Sequence, residues 1–243
     1  MKKLLTLTIA LILLTACSSD DSPAPAKETT VSLKKIISTN EDGEIVTSNY
    51  NYTDTKLTSV ISSDGSSSIY TYTGQQNTGL EDYENYTLRY SYIYEYNDNN
   101  KIASKTVLVH NVYPKFAQKD VYTYNEDGTT TIRSYTGDFE SQTELSQTTI
   151  VSYPSATTIQ YQSNDGTKLV YTYDGKNHPL KNVLETDMYA QNLLTVIDIT
   201  YAEPITYFDN TYTYNSKDYP ITSTEKVYVM GEYKTTKRQF FYE

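Results

Sequence analysis

The chain has 243 residues, a net charge of −10, 27 tyrosines and no tryptophan. Its mean hydropathy of −0.59 excludes an integral membrane protein built of helices. An acidic chain is a poor match for nucleic acid, because affinity for the phosphate backbone comes from Lys and Arg. Tyr and Thr favour strands, and all-β domains often run past about 200 residues, so one all-β domain is predicted. The single cysteine, Cys17, excludes an intrachain disulfide.

The N-terminus has the features of an export signal. A Met-Lys-Lys start precedes an apolar run over residues 4–14, which is too short to span a bilayer and has the length of a signal-peptide core. Residues 14–17 read Leu-Thr-Ala-Cys, which resembles a bacterial lipobox. The resemblance implies a signal peptide over residues 1–16, cleavage before Cys17 and acylation of this cysteine, which would anchor the chain to a membrane. The alternative is an ordinary secretory signal in which the cysteine falls by chance.

A short acidic stretch follows the cysteine. Asp20 and Asp21 lie among serines, and this pattern resembles the surface-export signal of lipoproteins in Bacteroidetes-type bacteria. The resemblance implies an outer-membrane location in a Gram-negative bacterium, with the protein on the cell surface. Residues 17–30 are predicted to form the lipidated Cys17 and a solvated tether that reaches roughly 40 Å. Residues 31–243 are predicted to form a single all-β domain.

Strand patterns fill most of the chain after Val31. Runs rich in Tyr, Thr, Val and Ile alternate with turn signals such as Asp-Gly, which predicts roughly fourteen antiparallel strands joined as hairpins. Residues 74–82 are rich in Gly, Gln and Asn and are predicted to form a loop. After Pro179, the apolar residues over 180–194 fall near a helical period of about 3.6. This segment is therefore predicted to be either one short helix or an irregular flap.

The longest predicted strand runs from Tyr86 to Tyr96. Every second residue is Tyr or Leu and the intervening residues are largely polar, so one face of the strand would be almost wholly aromatic. The residues on that face are Tyr86, Leu88, Tyr90, Tyr92, Tyr94 and Tyr96. Tyr90, Tyr92 and Tyr94 are the candidate binding face. Two interpretations stay open, because the rings could be exposed and bind a glycan or a protein, or could pack as the core of a thin sheet.

A short unit built on tyrosine recurs five times. Two tyrosines two positions apart end a strand, an Asn or Asp turn reverses the chain, and in most copies an aliphatic residue opens the next strand. The first tyrosines of the copies are Tyr50, Tyr94, Tyr122, Tyr171 and Tyr212. Cross-strand pairs of an aromatic and an aliphatic residue stabilise a hairpin.

One copy, residues 171–176, reads Tyr-Thr-Tyr-Asp-Gly-Lys and resembles the YD repeat of RHS-type bacterial surface proteins. The resemblance implies an all-β antiparallel meander of stacked β-hairpins that forms a long twisted or curled sheet. The whole layout resembles surface lipoproteins of Bacteroidetes-type bacteria with YD-repeat-like, RHS-like hairpin units. That resemblance implies no particular activity.

The sequence contains few signals for catalysis. His110 and His178 are the only histidines, and no ligands cluster with them, so no zinc site is predicted. The Asp-Gly turns lack the ligand spacing of EF-hands, and no nucleophile elbow, His-Glu-x-x-His or P-loop motif is present. No catalytic residue, metal or cofactor is therefore expected. A pair of carboxylates for glycoside hydrolysis stays open, because two such acids need not be close in sequence.

The leading hypothesis is a non-catalytic, lipid-anchored protein of the cell envelope that acts as a binding or scaffolding module. Its membrane contact would be made through the lipid anchor, and its partner would be a protein or a glycan, with no nucleic acid. The first alternative is a glycan-binding accessory lipoprotein of a nutrient-uptake system, and the second is a carboxylate-dependent glycoside hydrolase. A transmembrane barrel is also weighed, because the chain ends in an aromatic run, but the lipobox and the polar alternate strand positions argue against it.

Overall fold

The computed structural model of the protein describes residues 31–181, 183 and 191–243. The predicted signal peptide, the lipidation of Cys17 and the tether lie outside the described residues. Within the described residues the fold is all-β, as predicted, with sixteen strands and no helix. The strands are β1 (Leu33–Asn40), β2 (Ile45–Thr53), β3 (Lys56–Ser62), β4 (Ser67–Thr73), β5 (Gln76–Glu84), β6 (Thr87–Tyr96), β7 (Ile102–Val109), β8 (Phe116–Tyr124), β9 (Thr130–Gly137), β10 (Gln142–Ser155), β11 (Thr158–Ser163), β12 (Lys168–Tyr173), β13 (Leu193–Asp198), β14 (Ile205–Tyr214), β15 (Pro220–Val229) and β16 (Glu232–Tyr242).

The sixteen strands form one closed antiparallel barrel. Each strand pairs with its neighbours in chain order, and β1 pairs with β16 from Leu33 opposite Tyr242 to Asn40 opposite Thr236. The predicted meander of hairpins is confirmed. The prediction that it forms a long twisted or curled sheet is wrong, because the last strand returns to the first. Closure gives the N–H and C=O groups of both end strands a partner, whereas an open sheet leaves them unpaired at its edges.

Two strands lie where the sequence pattern predicted none. Strand β5 occupies most of the predicted loop over residues 74–82. Its polar start has weak strand propensity, but both neighbouring strands supply hydrogen bonds that hold it in the sheet. Strand β13 takes up Leu193 and Leu194, the end of the predicted helix or flap. Residues 179–181 and 183 form turns, so the described part of 180–194 is not helical; residues 182 and 184–190 lie outside the described residues.

The predicted tyrosine strand is shorter and less regular than its sequence pattern. Strand β6 begins at Thr87, because Asn85 and Tyr86 form the tight turn from β5 with φ angles of 48° and 61°. The pairing of β5 with β6 shifts register here, and the shift places Leu88 on the face opposite to that of Tyr90. The aromatic face of β6 therefore consists of Tyr90, Tyr92, Tyr94 and Tyr96.

Alternate residues of each strand face into and out of the barrel. The inner face is identified by its hydrophobic cluster, in which Leu33 and Leu57 are fully buried and Tyr50, Tyr52 and Phe240 pack against them. Many of the inner tyrosines are only half-buried. Tyrosine suits such an interior, because its ring packs against neighbours while its hydroxyl binds water or an acceptor.

Six tyrosines connect neighbouring strands at one end of the barrel. We call this end, where odd-numbered strands begin and even-numbered strands end, the lower rim. Near the end of an even-numbered strand, a tyrosine hydroxyl donates to a carbonyl oxygen at the start of the preceding strand, at 2.7 to 3.3 Å. The donor and acceptor residues are Tyr52 and Leu33, Tyr72 and Leu57, Tyr96 and Asn77, Tyr124 and Ile102, Tyr212 and Leu193, and Tyr242 and Pro220. The tyrosine unit found in the sequence is thus part of a larger spatial repeat.

A β-bulge accompanies this repeat at the lower rim. Tyr52 lies opposite Leu57 while Asn51 lies opposite Ser59, so β3 carries one extra residue, Thr58. The same shift occurs where β6 meets β7, β12 meets β13, and β14 meets β15. At three of these bulges an aliphatic residue, Leu57, Ile102 or Leu193, is therefore the direct cross-strand neighbour of the tyrosine, and at the fourth Pro220 lies opposite Tyr214. Regularly placed bulges bend and twist a sheet, which helps it to close.

We expect Tyr96→Phe to lower the free energy of unfolding by about 1 kcal/mol, because it removes the hydroxyl that donates to the Asn77 carbonyl at 2.7 Å. Urea unfolding of the full chain measures the change. Tyr86→Phe is the matched control, because Tyr86 is 88% exposed and loss of its hydroxyl should change stability by less than about 0.5 kcal/mol. Equal stability of the two variants would contradict a stabilising role for the rim hydrogen bonds.

Candidate functional site

The described residues of the connection between β12 and β13 lie at the lower end of the barrel. We call these residues, 174–181, 183, 191 and 192, the floor segment. Leu180 and Val183 are each 8% exposed and form one cluster with Leu33 and Leu57. Because β14, β15 and β16 separate β13 from β1 around the barrel, the floor segment must reach across the interior to make these contacts.

Asp174 fixes the base of the floor segment. Its carboxylate accepts hydrogen bonds from the backbone N–H of Lys176 at 2.8 Å, from the side-chain amide of Asn192 at 3.0 Å, and from the hydroxyl of Tyr214. Asn177 adds a second connection, because its Nδ2 donates to a backbone carbonyl in the turn between β14 and β15 at 2.9 Å. Hydrogen bonds to a carboxylate are stronger than those between neutral groups. Asp174 begins the floor segment and Asn192 ends it, so these contacts hold both ends of the segment to each other and to Tyr214 in the barrel wall.

A cavity of about 200 Å³ borders the floor segment. His178, Pro179 and Leu180 line it from the floor segment, and inward-facing residues of β1, β2, β14, β15 and β16 form its walls. A cavity of this volume has room for roughly six water molecules or for one small molecule. Its wall is partly aromatic, through Tyr50, Tyr212 and Phe240, and partly polar.

An ion pair lies in the wall of this cavity. Nη1 and Nη2 of Arg238 donate to the two carboxylate oxygens of Glu225 at 2.6 and 2.9 Å. The side chains are 28% and 16% exposed, respectively. This bidentate geometry is the strongest arrangement of an Arg and a carboxylate, and it leaves the pair without net charge.

His178 contributes a neutral imidazole to the cavity. Its Nδ1 accepts the backbone N–H of Leu180 at 3.1 Å, which leaves the proton of the neutral ring on Nε2. Burial lowers the pKa of His178 to about 4, and the nearby carboxylate of Asp174 opposes only part of that effect. His178 is therefore uncharged at neutral pH.

We expect the stability of the protein to fall between about pH 6.5 and pH 4 through His178. In this range the histidine of the unfolded chain binds a proton and the buried ring does not, so acid favours unfolding. The change of pKa from 6.5 to about 4 corresponds to a loss of about 3 kcal/mol in the free energy of unfolding. Urea unfolding at several pH values should show a steeper acid loss for the wild type than for His178→Gln. His110→Gln is the matched control and should keep the steep profile; a wild-type profile that matches His178→Gln would contradict this role.

Three polar atoms at the cavity have no hydrogen-bond partner among the described residues. They are Oδ1 of Asn192, Oδ1 of Asn210 and Oγ of Ser223, and these side chains are 1%, 4% and 3% exposed, respectively. A buried polar atom that lacks a partner costs about 1–3 kcal/mol of stability. Such atoms are uncommon in folded proteins, and three of them at one cavity single it out as the candidate functional site.

The predicted binding face lies on a different part of the inner wall. Tyr90 is 39% exposed, and Tyr92 and Tyr94 are half-buried. The rings of Tyr90 and Tyr92 are 6.3 Å apart, and the ammonium group of Lys105 lies 5.4 Å from the Tyr92 ring centre. Strand β6 does not line the floor cavity. Binding by these three tyrosines stays a prediction.

No motif in the sequence marks the residues of the floor cavity. His178 has no companion ligands nearby in the sequence, and Asn192, Asn210, Ser223 and Arg238 belong to no recognisable functional pattern. A weak signal exists in β14, where Asn210 takes an inward position between Phe208 and Tyr212. Recognising it requires knowledge of which face of the strand lies inside, and that depends on how the sheet closes.

Among the described residues, no group of three His, Cys, Asp or Glu side chains comes together in a way that could hold a metal ion. No helix of the described residues is long and apolar enough to cross a membrane.

Comparisons with known proteins give structural similarity alone. No protein-family model and no curated protein sequence matches the chain. The fold is similar to the crystal structure of a porin-like protein from Bacteroides uniformis, at 12% identity and a TM-score of 0.51, over 87% of this chain and 98% of that one. It is also similar to a porin-like protein from Bacteroides vulgatus, at 10% identity and a TM-score of 0.56, over 88% of this chain and 99% of that one. At these identities the similarity shows a shared barrel fold.

Proposed function

We propose that the protein is a non-catalytic, lipid-anchored binding module of the outer membrane of a Gram-negative bacterium. In this proposal Cys17 carries the lipid, the barrel stands in water at the cell surface, and the interior of the barrel binds the ligand. The lipobox and the acidic stretch after Cys17 support the anchor. The floor cavity, with its unpartnered polar atoms, supports binding in the interior.

The charged residues on the outer face of the barrel are the main support for a barrel that lies in water rather than in lipid. Outward positions follow from the pairing, because residues paired across strands share a face. Charged residues occupy many of them: Lys35, Glu81, Glu95, Lys119, Arg133, Lys168, Asp209, Lys226 and Lys237. A lipid-facing barrel needs an apolar outer band, and a charged residue at the bilayer centre costs up to about 2–4 kcal/mol. Strands β11, β12 and β13 have six residues each, fewer than the roughly nine to eleven of a spanning strand.

A second candidate function is a barrel that spans the membrane. It is favoured by the similarity to two structures described as porin-like. Outward apolar residues such as Ile61, Ile69 and Ile93 also fit it. The charged residues among the outward positions and the short strands count against it, because both would place polar groups in hydrocarbon.

The two functions are separated by the Cys17→Ala variant, expressed as the full chain in a Bacteroidetes-type host. We expect the wild type to incorporate an alkyne-labelled fatty acid and to stay with membranes during an alkaline wash. The variant should carry no label and should be released by the wash. A wild type without label would contradict the lipid anchor, and an unlabelled variant that resists the wash would contradict a barrel in water.

A further inference from the structure

The two ends of the barrel differ in the side chains that their loops expose. We call the end opposite to the lower rim, where each odd-numbered strand turns into the next even-numbered one, the upper rim. Among the described residues, the large hydrophobic side chains exposed in loops all lie at the upper rim: Tyr86, Val112, Tyr113, Ile199, Tyr201 and Met230. Tyr113 and Met230 are 99% and 100% exposed. Exposed apolar residues that gather at one end of a protein mark an interaction surface.

These residues form two apolar patches on opposite sides of the upper rim. Tyr86 and Tyr113 lie on the neighbouring hairpins β5–β6 and β7–β8, whereas Tyr201 and Met230 lie on the neighbouring hairpins β13–β14 and β15–β16. Two other hairpins separate the patches in each direction around the barrel. A partner that contacts both patches must therefore lie over the mouth of the barrel.

Acidic residues occupy the hairpins between the two patches. The loops of the upper rim contain eight Asp and Glu residues, all exposed, against one lysine, Lys115, and no arginine. One of the acids, Glu41, pairs with Lys234 of β16 at 2.8 Å. Seven of the eight lie on the four intervening hairpins, and the whole set is Glu41, Asp42, Glu44, Asp64, Asp138, Glu140, Asp165 and Glu203. Such a surface attracts a cationic partner and repels an anionic one.

A protein matches this combination better than a lipid surface or a second copy of the chain. Tyr and Met are enriched at protein interfaces. Anionic lipids would be repelled by the carboxylates, and two upper rims that met would bring the same carboxylates together. Strand β1 begins at the lower rim, so the chain that carries Cys17 joins the barrel at the other end and leaves the upper rim open to a partner.

We infer that the upper rim docks a protein with a basic face, which packs apolar side chains against the two patches and places Lys or Arg side chains against the carboxylates between them. The inference goes beyond the proposed function, because this surface lies outside the interior of the barrel.

The experiment selects a phage-displayed library of random peptides for binding to the full chain, purified in detergent. The same library is then tested on the double variant Tyr86→Ser with Tyr113→Ser. We expect a group of peptides that bind the wild type with a Kd below about 100 μM and bind the double variant about tenfold more weakly or worse. These peptides should be rich in Lys or Arg and should contain aromatic or aliphatic residues.

The double variant should keep the wild-type Tm, because both tyrosines are exposed. The matched control is Ile61→Thr with Ile93→Thr, which changes two exposed residues of the outer wall, 44% and 46% exposed, and should leave affinity unchanged.

Charge is tested by Glu140→Lys, on the hairpin next to Tyr113. The two hairpins touch, because the rings of His110 and Phe139 are 5.0 Å apart. This variant should weaken binding of the basic peptides by about threefold or more. Glu126→Lys makes the same change on an exposed loop of the lower rim and should leave their affinity unchanged.

Several outcomes would overturn the inference. They are the absence of peptides that depend on Tyr86 and Tyr113, dependent peptides that are neutral or acidic, and equal effects of Glu140→Lys and Glu126→Lys. Sedimentation velocity would overturn it by showing dimers that the double variant loses, which would assign the rim to a second copy. Flotation of the Cys17→Ala chain with phosphatidylcholine and phosphatidylglycerol vesicles would overturn it if the two Ser changes abolished flotation, which would assign the rim to a lipid surface. A membrane-spanning barrel would float with or without these changes, so failure of the proposed function is distinguishable.

Discussion

Replacement of Leu57 by Ala is expected to lower the free energy of unfolding by about 3 kcal/mol. Leu57 is fully buried, lies opposite Tyr52 and packs with Leu33, Leu180 and Val183. The substitution removes buried methyl groups and leaves a cavity between the barrel wall and the floor segment, and both effects destabilise the folded state. Urea unfolding of the full chain measures the change.

Ile61→Ala is the matched control for this variant. Ile61 lies on the same strand, faces outward and is 44% exposed. Its truncation should change the free energy of unfolding by less than about 1 kcal/mol. If the two variants lose similar stability, the cluster at the floor segment is not the core of the barrel. Because small domains are stable by only about 5–15 kcal/mol, the Leu57 variant should also show a clearly lowered Tm.

The second large effect is expected for the ion pair in the cavity wall. Arg238→Met leaves the Glu225 carboxylate, 16% exposed, without its cation, and removal of one partner of such a pair costs about 3 kcal/mol or more. The double variant Arg238→Met with Glu225→Leu should recover most of this stability, because it also removes the stranded charge. Urea unfolding of wild type, single and double variants gives the comparison.

The more exposed ion pair between Lys119 and Glu95 is the control for the more buried pair of Arg238 and Glu225. It lies on the outer face, with side chains 33% and 61% exposed. Lys119→Met should cost less than about 1 kcal/mol, because water screens the pair. A double variant at Arg238 and Glu225 that is no more stable than Arg238→Met would contradict the view that a stranded charge causes the loss.

The sequence by itself determined the class of structure, because strand signals depend on near neighbours. Alternation of Tyr with polar residues predicted a strand with one aromatic face, and the pairing confirms that Tyr90 to Tyr96 share a face. The tyrosine unit predicted hairpins in which an aliphatic residue faces a tyrosine, as Tyr52 and Leu57 do. Each of these features involves residues a few positions apart along the chain, where turn chemistry and alternation decide the conformation.

Three features depend on the tertiary structure alone: the closure of the barrel, the formation of a strand by the polar residues of β5, and the formation of the floor cavity. Closure pairs β1 with β16, which lie at opposite ends of the domain, and no local pattern marks that contact. The polar residues of β5 form a strand because two neighbours supply its hydrogen bonds. Asn192, Asn210 and Ser223 meet at one cavity only after the barrel has closed and His178 to Leu180 have reached its interior. Contacts between residues far apart in sequence depend on the packing of the whole barrel, so local propensity does not reveal them.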